Sequence, residues 1–403
     1  MASKPTRLGI NGGGRRKLTS WIESFVKHTD NLESAEVFRK WTAISVIAAA
    51  LEQKVWMSTS DKLYPNLYTI LVGHPGVGKT RTIMSGRKFL AELSDFFIAP
   101  TSMKMASLVD ALLASKRTLI RLQSKEPPLE FHSMTLVMDE WTAFMHAWDD
   151  ELVGGLTTFY DVGVPYEQHR RTRDVRIKIP RPQLSILAGT TPGNLTKFMP
   201  EAAWYQGFAS RLILIFSDER SIGDDFAGPS RGLPPDMVHD LKAIASLQGE
   251  FKITEEFRAL VTAWREAGED PKPSHPKLLH YNTRRRAHIY KLAMVAAIDS
   301  GNSLVLTGDC FTTALRWLGE AEMAMPAIFE EGIIAADARS MDEIEDWIRR
   351  QGKPVPDYQI MHFMTKQVAH YAVVKMFELM AQTGRIKQVG MLAEKWGLWE
   401  VND

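Results

Sequence analysis

A chain of 403 residues has room for about two to four domains. Its 45% hydrophobic and 24% charged residues are ordinary for a globular protein, and 49 Lys+Arg against 48 Asp+Glu exclude a chain-wide attraction to nucleic acid, leaving only local patches. One cysteine, Cys310, excludes an internal disulfide and suits a reducing cytosol, and no apolar run approaches the ~20 residues of a membrane helix.

Residues 1–17 read as a flexible tail without the apolar core of a signal peptide. The first 20 residues carry five basic groups (Lys4, Arg7, Arg15, Arg16, Lys17) and no acidic one. That pattern suits a solvated terminus or a contact with a polynucleotide or a neighbouring subunit. Residues 18–57 read as helices, because Trp21, Ile22 and Phe25, then Trp41, Ile44, Ile47 and Leu51, recur at helical spacing.

Gly73-His74-Pro75-Gly76-Val77-Gly78-Lys79-Thr80 fits G-x-x-x-x-G-K-[ST], the phosphate-binding loop of nucleotide triphosphatases. An apolar strand over 67–72 precedes it and a helix from Arg81 to Leu93 follows, which is the context the motif needs. Loop and helix N–H groups then converge on phosphate oxygens. Gly73, Pro75, Gly76, Val77, Gly78, Lys79, Thr80 and Arg81 are the candidate nucleotide-binding residues. Lys79 is expected to reach the β- and γ-phosphates, and the Thr80 hydroxyl to hold Mg²⁺.

Residues 66–217 alternate apolar runs and helices, the pattern of a parallel α/β sheet, with strands expected at 67–72, 96–99, 134–138, 183–188 and 211–216. The run Thr135-Leu136-Val137-Met138 ends in Asp139-Glu140. Asp139 is assigned to the metal and Glu140 as general base for the attacking water. Leu184 to Ala188 forms another apolar run, ending in Gly189-Thr190-Thr191-Pro192; Thr191, or Thr190, is expected beside the γ-phosphate or the attacking water. Arg211 opens an apolar strand after Gly207-Phe208-Ala209-Ser210. It suits either a surface ion pair or a cation that projects across a subunit interface to a neighbour's nucleotide.

Residues 166–181 hold six basic and two acidic side chains, a local net of +4. Val175, Ile177 and Ile179 alternate with Arg176 and Lys178, a strand pattern. Residues 218–235 are rich in Gly, Pro, Asp and Ser and mark a boundary. Residues 236–332 read as helical, with Phe257, Leu260, Val261 and Trp264 on one face and Ile289, Leu292, Ala293 and Ala296 on another. In residues 339–403, helices at 341–350, 357–363 and 366–382 are followed by strands near 385–388 and 397–401, the order of a winged helix-turn-helix. Lys366, Gln367, His370 and Lys375, with Arg385 and Lys387, would face DNA; a protein-binding role fits the same pattern. Cys310 and the histidines show no metal-ligand spacing, so no zinc is expected.

Together the phosphate loop, the acidic pair, the Thr190-Thr191 turn and the Arg211 segment resemble the AAA+ ATPases. Ala209 to Phe216 is similar to the arginine-finger segment of minichromosome-maintenance helicases, and Gly189-Thr190-Thr191-Pro192 to their sensor-one turn, with Thr191 where that family has Asn. The stretch from Phe38-Arg39-Lys40-Trp41 through Tyr64-Pro65-Asn66-Leu67-Tyr68 into the loop more closely resembles phage and plasmid replication ATPases, often fused to primases; no primase-like segment is visible here. The resemblance covers about residues 35–300.

By sequence the chain divides into a flexible tail (1–17), an N-terminal helical region (18–60), a P-loop core (61–222), a helical region (223–335) and a winged-helix-like domain (336–403); the resemblance makes the core AAA+ and the region 223–335 its lid. It implies ATP and Mg²⁺, a homo-oligomeric ring of hexameric kind, single-stranded or forked DNA as partner, cooperation with a separate primase or other replication proteins, and a cytoplasmic setting, a bacterial host's if phage-encoded. Arg211 would act in trans. One of Arg284, Arg285 and Arg286, with Arg285 favoured, would be the lid's sensor two. The segment 166–181 would be a hairpin aimed into the ring channel, with Arg170, Arg171, Arg173, Arg176 and Lys178 on DNA phosphates, or an exposed charged hairpin with no ligand. Two rivals remain: an AAA+ helicase loader or transposition-type switch that does not unwind, and a winged-helix initiator for which ATP is a structural ligand.

Overall fold

The computed structural model describes residues 16–119, 128–145, 149–170, 175–222, 232–366, 372–393 and 395–402. The tail over 1–15, Arg171, Arg173, the boundary residues 223–231, and Gln367 and His370 lie outside the described residues. The protein is mixed α/β with parallel strand pairing. It divides into two compact units, Met1–Ile328 and Phe329–Asp403.

The first unit is built on a five-stranded sheet in the order Lys116–Leu119, Leu129–Met138, Pro182–Thr190, Tyr68–Val72, Leu212–Phe216. The last four run parallel; Lys116–Leu119 is an antiparallel edge. All of Tyr68–Val72 and Pro182–Thr190 is buried, as expected for parallel strands covered on both faces. Val72 pairs with Thr190 on one side and Phe216 on the other, and Met138 pairs with Ala188. The carboxyl ends of the four strands therefore lie along one edge, where open α/β sheets bind ligands. The run expected as a strand at 96–99 contributes one bridge, Ile98 to Thr135.

Helix Glu36–Leu51 has thirteen of its sixteen residues buried, so it is a core element and not a peripheral one. The helical reading of 18–57 runs too far: Val55–Ser58 is a strand, paired with Lys62–Leu63 and Gly249–Glu250. β-branched Val55 and alternating burial set that segment apart. Arg16 and Lys17, assigned by sequence to the flexible tail, are anchored. Lys17 and Leu18 donate backbone N–H bonds to the Asp240 carboxylate (3.0 and 2.8 Å), and Arg16 reaches the Ile298 carbonyl (2.6 Å). Asp299 accepts from Trp21 N, Ile22 N and Ser20 Oγ at 2.7, 3.0 and 2.6 Å; burial raises its carboxyl pKa.

Residues 235–328 supply helices Pro235–Ala245, Glu255–Glu266 and Leu279–Gly301 and the start of Gly308–Gln351. Phe257, Val261 and Trp264 are buried as expected, while Leu260 is 37% exposed at the margin of that face. The second unit has helices Asp357–Met364 and Val373–Gln382 against an antiparallel sheet in the order Val355–Pro356, Trp396–Val401, Ile386–Leu392. Its core includes Ile344, Ile360, Met364, Phe377 and Met380. No helix among the described residues is long and apolar enough to cross a membrane.

Candidate nucleotide site

Strand Tyr68–Val72 delivers the chain into the loop, and helix Lys79–Ala91 carries it away. Gly78 is the helix N-cap at φ +75°, and a Cβ there would meet Glu33 O at 2.4 Å, so only glycine fits. No side chain caps this helix. Its first N–H groups are left to an external acceptor, which favours an anion. Val77 is buried and pins the loop, while His74, Pro75, Gly76 and Thr80 are exposed. Lys79 Nζ donates to the carbonyls of Gly73 (2.7 Å) and His74 (2.8 Å). Burial lowers its amine pKa, and the nearby Glu140 carboxylate opposes that shift. Arg81 pairs with Glu33 at 2.8 Å, on the outer side of the helix start.

Glu140 lies two residues past strand Leu129–Met138 and is half-buried; Asp139 is exposed. Glu140 Oε1 accepts from Thr190 Oγ1 at 3.2 Å and from Thr142 N at 3.5 Å. A Cβ on Gly189 would stand 2.6 Å from Asp139 O, so this glycine lets the two strand tips close on each other. The Thr191 assignment is corrected here. Its hydroxyl caps helix Pro192–Phe198 through Asn194 N (3.2 Å), and fully buried Thr190 holds Glu140 instead. The strand ends at Thr190, and Thr191 stands just past it as the N-cap of the next helix, so the two hydroxyls have different partners. Lys79, Glu140 and Thr190 come together; Thr80 and Asp139 are the exposed oxygen donors available to a hard cation such as Mg²⁺. Uncapped helix N–H groups, a desolvated lysine and hard oxygen donors fit a magnesium–nucleoside triphosphate.

Arg211 does not project. It is 4% exposed, and its guanidinium is bound by the Gly207 carbonyl and the Asp161 carboxylate beside the Tyr160 ring. It precedes strand Leu212–Phe216, whose first residue pairs with Tyr68 and whose last pairs with Val72. Arg211 therefore lies at the opposite sheet edge from the loop, about 16 Å away along five strand residues. Asp161 also binds Arg284 at 3.0 Å, and that side chain is one-third exposed.

Arg285, the favoured sensor-two residue, is 1% exposed. Its Nε donates to Glu322 at 2.7 Å, Tyr281 donates to the same carboxylate at 2.9 Å, and its Nη1 reaches the Glu269 carbonyl. It belongs to the helical core, because position 285 faces inward while 284 and 286 turn outward on helix Leu279–Gly301.

One turn on, buried His288 supports the Arg211 segment. Its Nε2 lies 3.0 Å from the Ser210 carbonyl, so that nitrogen carries the proton and Nδ1 accepts from Tyr160 Oη (3.3 Å). Burial lowers the pKa of His288 from 6.5 to about 3. The folded state thus holds the neutral ring, which the unfolded chain protonates below 6.5. This contribution to stability is complete above pH 6.5 and is lost as pH falls from 6.5 towards 3, by roughly 1 kcal/mol per pH unit. Denaturant unfolding of His288→Gln against the parent across this range is expected to show the flatter pH profile in the variant; parallel profiles would refute it.

Residues Tyr166–Arg170 and Val175–Ile179 form a two-stranded antiparallel hairpin. Ile177 and Ile179 are buried on one face, and Arg176 and Lys178 are exposed on the other. Two of the expected phosphate contacts are engaged internally. Arg170 is bound by Asp110 (2.7 Å) and the Ala106 carbonyl (2.9 Å), and Lys178 pairs with Glu167 (2.7 Å). In the second unit, Arg385 pairs with Asp342 and Glu345, and Lys387 with Glu400, so these two basic groups are also balanced. Lys366 and Lys375 are exposed.

Sequence reasoning missed Asp161, which gathers Arg211 and Arg284, and the Glu33–Ser34 corner against Gly78. Neither carries a motif; both depend on distant elements meeting. Asn66 donates to the Tyr160 and Leu184 carbonyls (3.1 Å each) and accepts from buried Lys291 (2.9 Å), fixing the entry to the loop strand. No protein-family model matches the chain, and no curated protein matches it.

Proposed function

We propose that the protein is a ring-forming AAA+ ATPase that moves along single-stranded or forked DNA in replication of the phage or plasmid kind. The observation that carries this reading is Glu140, held by Thr190 at a sheet edge it shares with Lys79. A half-buried carboxylate beside a phosphate loop suits water activation, and the strand between loop and acidic pair supplies the hydroxyl expected from the AAA+ resemblance. Thr80 and Asp139 would hold Mg²⁺, which would neutralise phosphate charge. Loop N–H groups and Lys79 orient the phosphates, and Glu140 takes the proton of the attacking water. Arg211 and Arg284 are gathered by Asp161 at the far sheet edge, too distant for their own loop; Arg211 is buried there, while Arg284, one-third exposed, suits a neighbour's nucleotide. Arg284 is the more exposed of the two and replaces Arg285 as the candidate sensor.

The hairpin supports DNA as the cargo, with Arg176 the described cation on its outer face that pairs with no carboxylate among the described residues. The internal pairing of Arg170 and Lys178 is the observation that favours the loader reading, since it lowers the free charge of the hairpin. Strand displacement on a forked duplex, with and without ATP, separates the two: hydrolysis without unwinding would leave the loader. Alanine at Arg171, Arg173 and Arg176 is expected to weaken single-strand binding and to flatten its salt dependence, by about one unit of slope for each phosphate that is no longer neutralised. Unchanged DNA-stimulated turnover in that variant would end the channel-hairpin reading.

A further inference from the structure

We propose that Arg220 contacts the phosphates of the nucleotide bound to its own chain. This rests on the reading of Gly73–Thr80 as a phosphate loop. Strand Leu212–Phe216 ends beside the loop strand, and pairing continues one residue further, Ser217 N donating to Val72 O at 3.2 Å. A Cβ on Gly73 would stand 2.5 Å from Ser217 O, so the departing segment runs directly against the first loop residue. Glu219 N donates to Ser217 Oγ at 3.1 Å and holds the next turn. Arg220 follows, and its Nη2 and Cζ lie 3.6 and 3.9 Å from the Cβ position of Gly76. Residues 217–220 thus track the loop from Gly73 to Gly76 and end with a guanidinium against its middle.

The neighbouring cations Lys79, Arg81 and Arg211 are each held by protein groups. Lys79 is folded onto loop carbonyls, Arg81 is bound by Glu33, and Arg211 is buried at the opposite sheet edge. Arg220 is exposed and pairs with no carboxylate among the described residues. Its planar fork suits two phosphate oxygens at once. Charge that builds on the phosphoryl oxygens during transfer is what an arginine at this place stabilises, and such an arginine acts mainly on turnover.

The test uses the full chain and MgATP or MgADP as probes. Arg220→Ala is expected to lower ATP turnover by about a hundredfold or more while MgADP affinity changes less than about threefold, with Arg220→Lys recovering part of the loss. Mixtures of Arg220→Ala and Glu140→Gln chains are expected to stay inactive, because arginine and base must share a chain. Parent-like turnover in Arg220→Ala, or recovery in the mixture, would overturn the proposal. Failure of the parent chain to bind either nucleotide would instead overturn the reading of the loop, and this proposal with it.

Discussion

Glu140→Gln is expected to lower steady-state ATP turnover by about a hundredfold to ten-thousandfold while MgATP stays bound. Gln keeps the shape and an oxygen acceptor for Thr190 Oγ1 and Thr142 N, so the tip of strand Leu129–Met138 retains its hydrogen bonds. It loses only the capacity to take a proton. Lys79→Ala is the contrasting variant: it removes the ammonium that the Gly73 and His74 carbonyls hold within the loop, and is expected to lose binding and turnover together. Turnover by phosphate release and affinity by calorimetry separate the two. Turnover within about twofold of the parent in Glu140→Gln would exclude this carboxylate as the base and leave Asp139.

Arg285→Ala is expected to destabilise the first unit by about 3–5 kcal/mol. The change leaves the Glu322 carboxylate buried with only Tyr281 as a donor, after loss of a 2.7 Å ion pair. It also removes a cation from the face of Trp264, 5.6 Å away. Breaking a buried pair costs far more than such a pair contributes against an apolar replacement. Arg285→Met combined with Glu322→Leu is therefore expected to recover much of the loss. Denaturant unfolding measures both variants. A loss under about 1 kcal/mol, together with altered ATP response, would return Arg285 to the sensor role.

Much of the sheet was legible in the sequence, because buried parallel strands read as unbroken apolar runs. Tyr68–Val72, Pro182–Thr190 and Leu212–Phe216 stand within two residues of their expected bounds. Lys116–Leu119 was not, since a polar edge strand lacks that signal. The hairpin was legible through its alternation at Val175, Ile177 and Ile179, but the engagement of Arg170 by Asp110 was not, because sequence separates them by 60 residues. The two adjacent threonines show the same limit: composition offered both hydroxyls, and the strand's end at Thr190 assigned one to Glu140 and the other to a helix cap.

The sequence by itself determined the Gly73–Thr80 glycine pattern, the Asp139-Glu140 pair and the α/β class. These depend on local spacing: a glycine pattern that admits left-handed backbone, and apolar runs that must be buried. Tertiary structure alone decided which cations are free. Arg211 and Arg285 became core partners of Asp161 and Glu322, whereas Arg220 was left exposed against the loop. The physical reason is that desolvation drives a buried guanidinium to the nearest carboxylate, and which carboxylate is near is set by chain segments far apart in sequence.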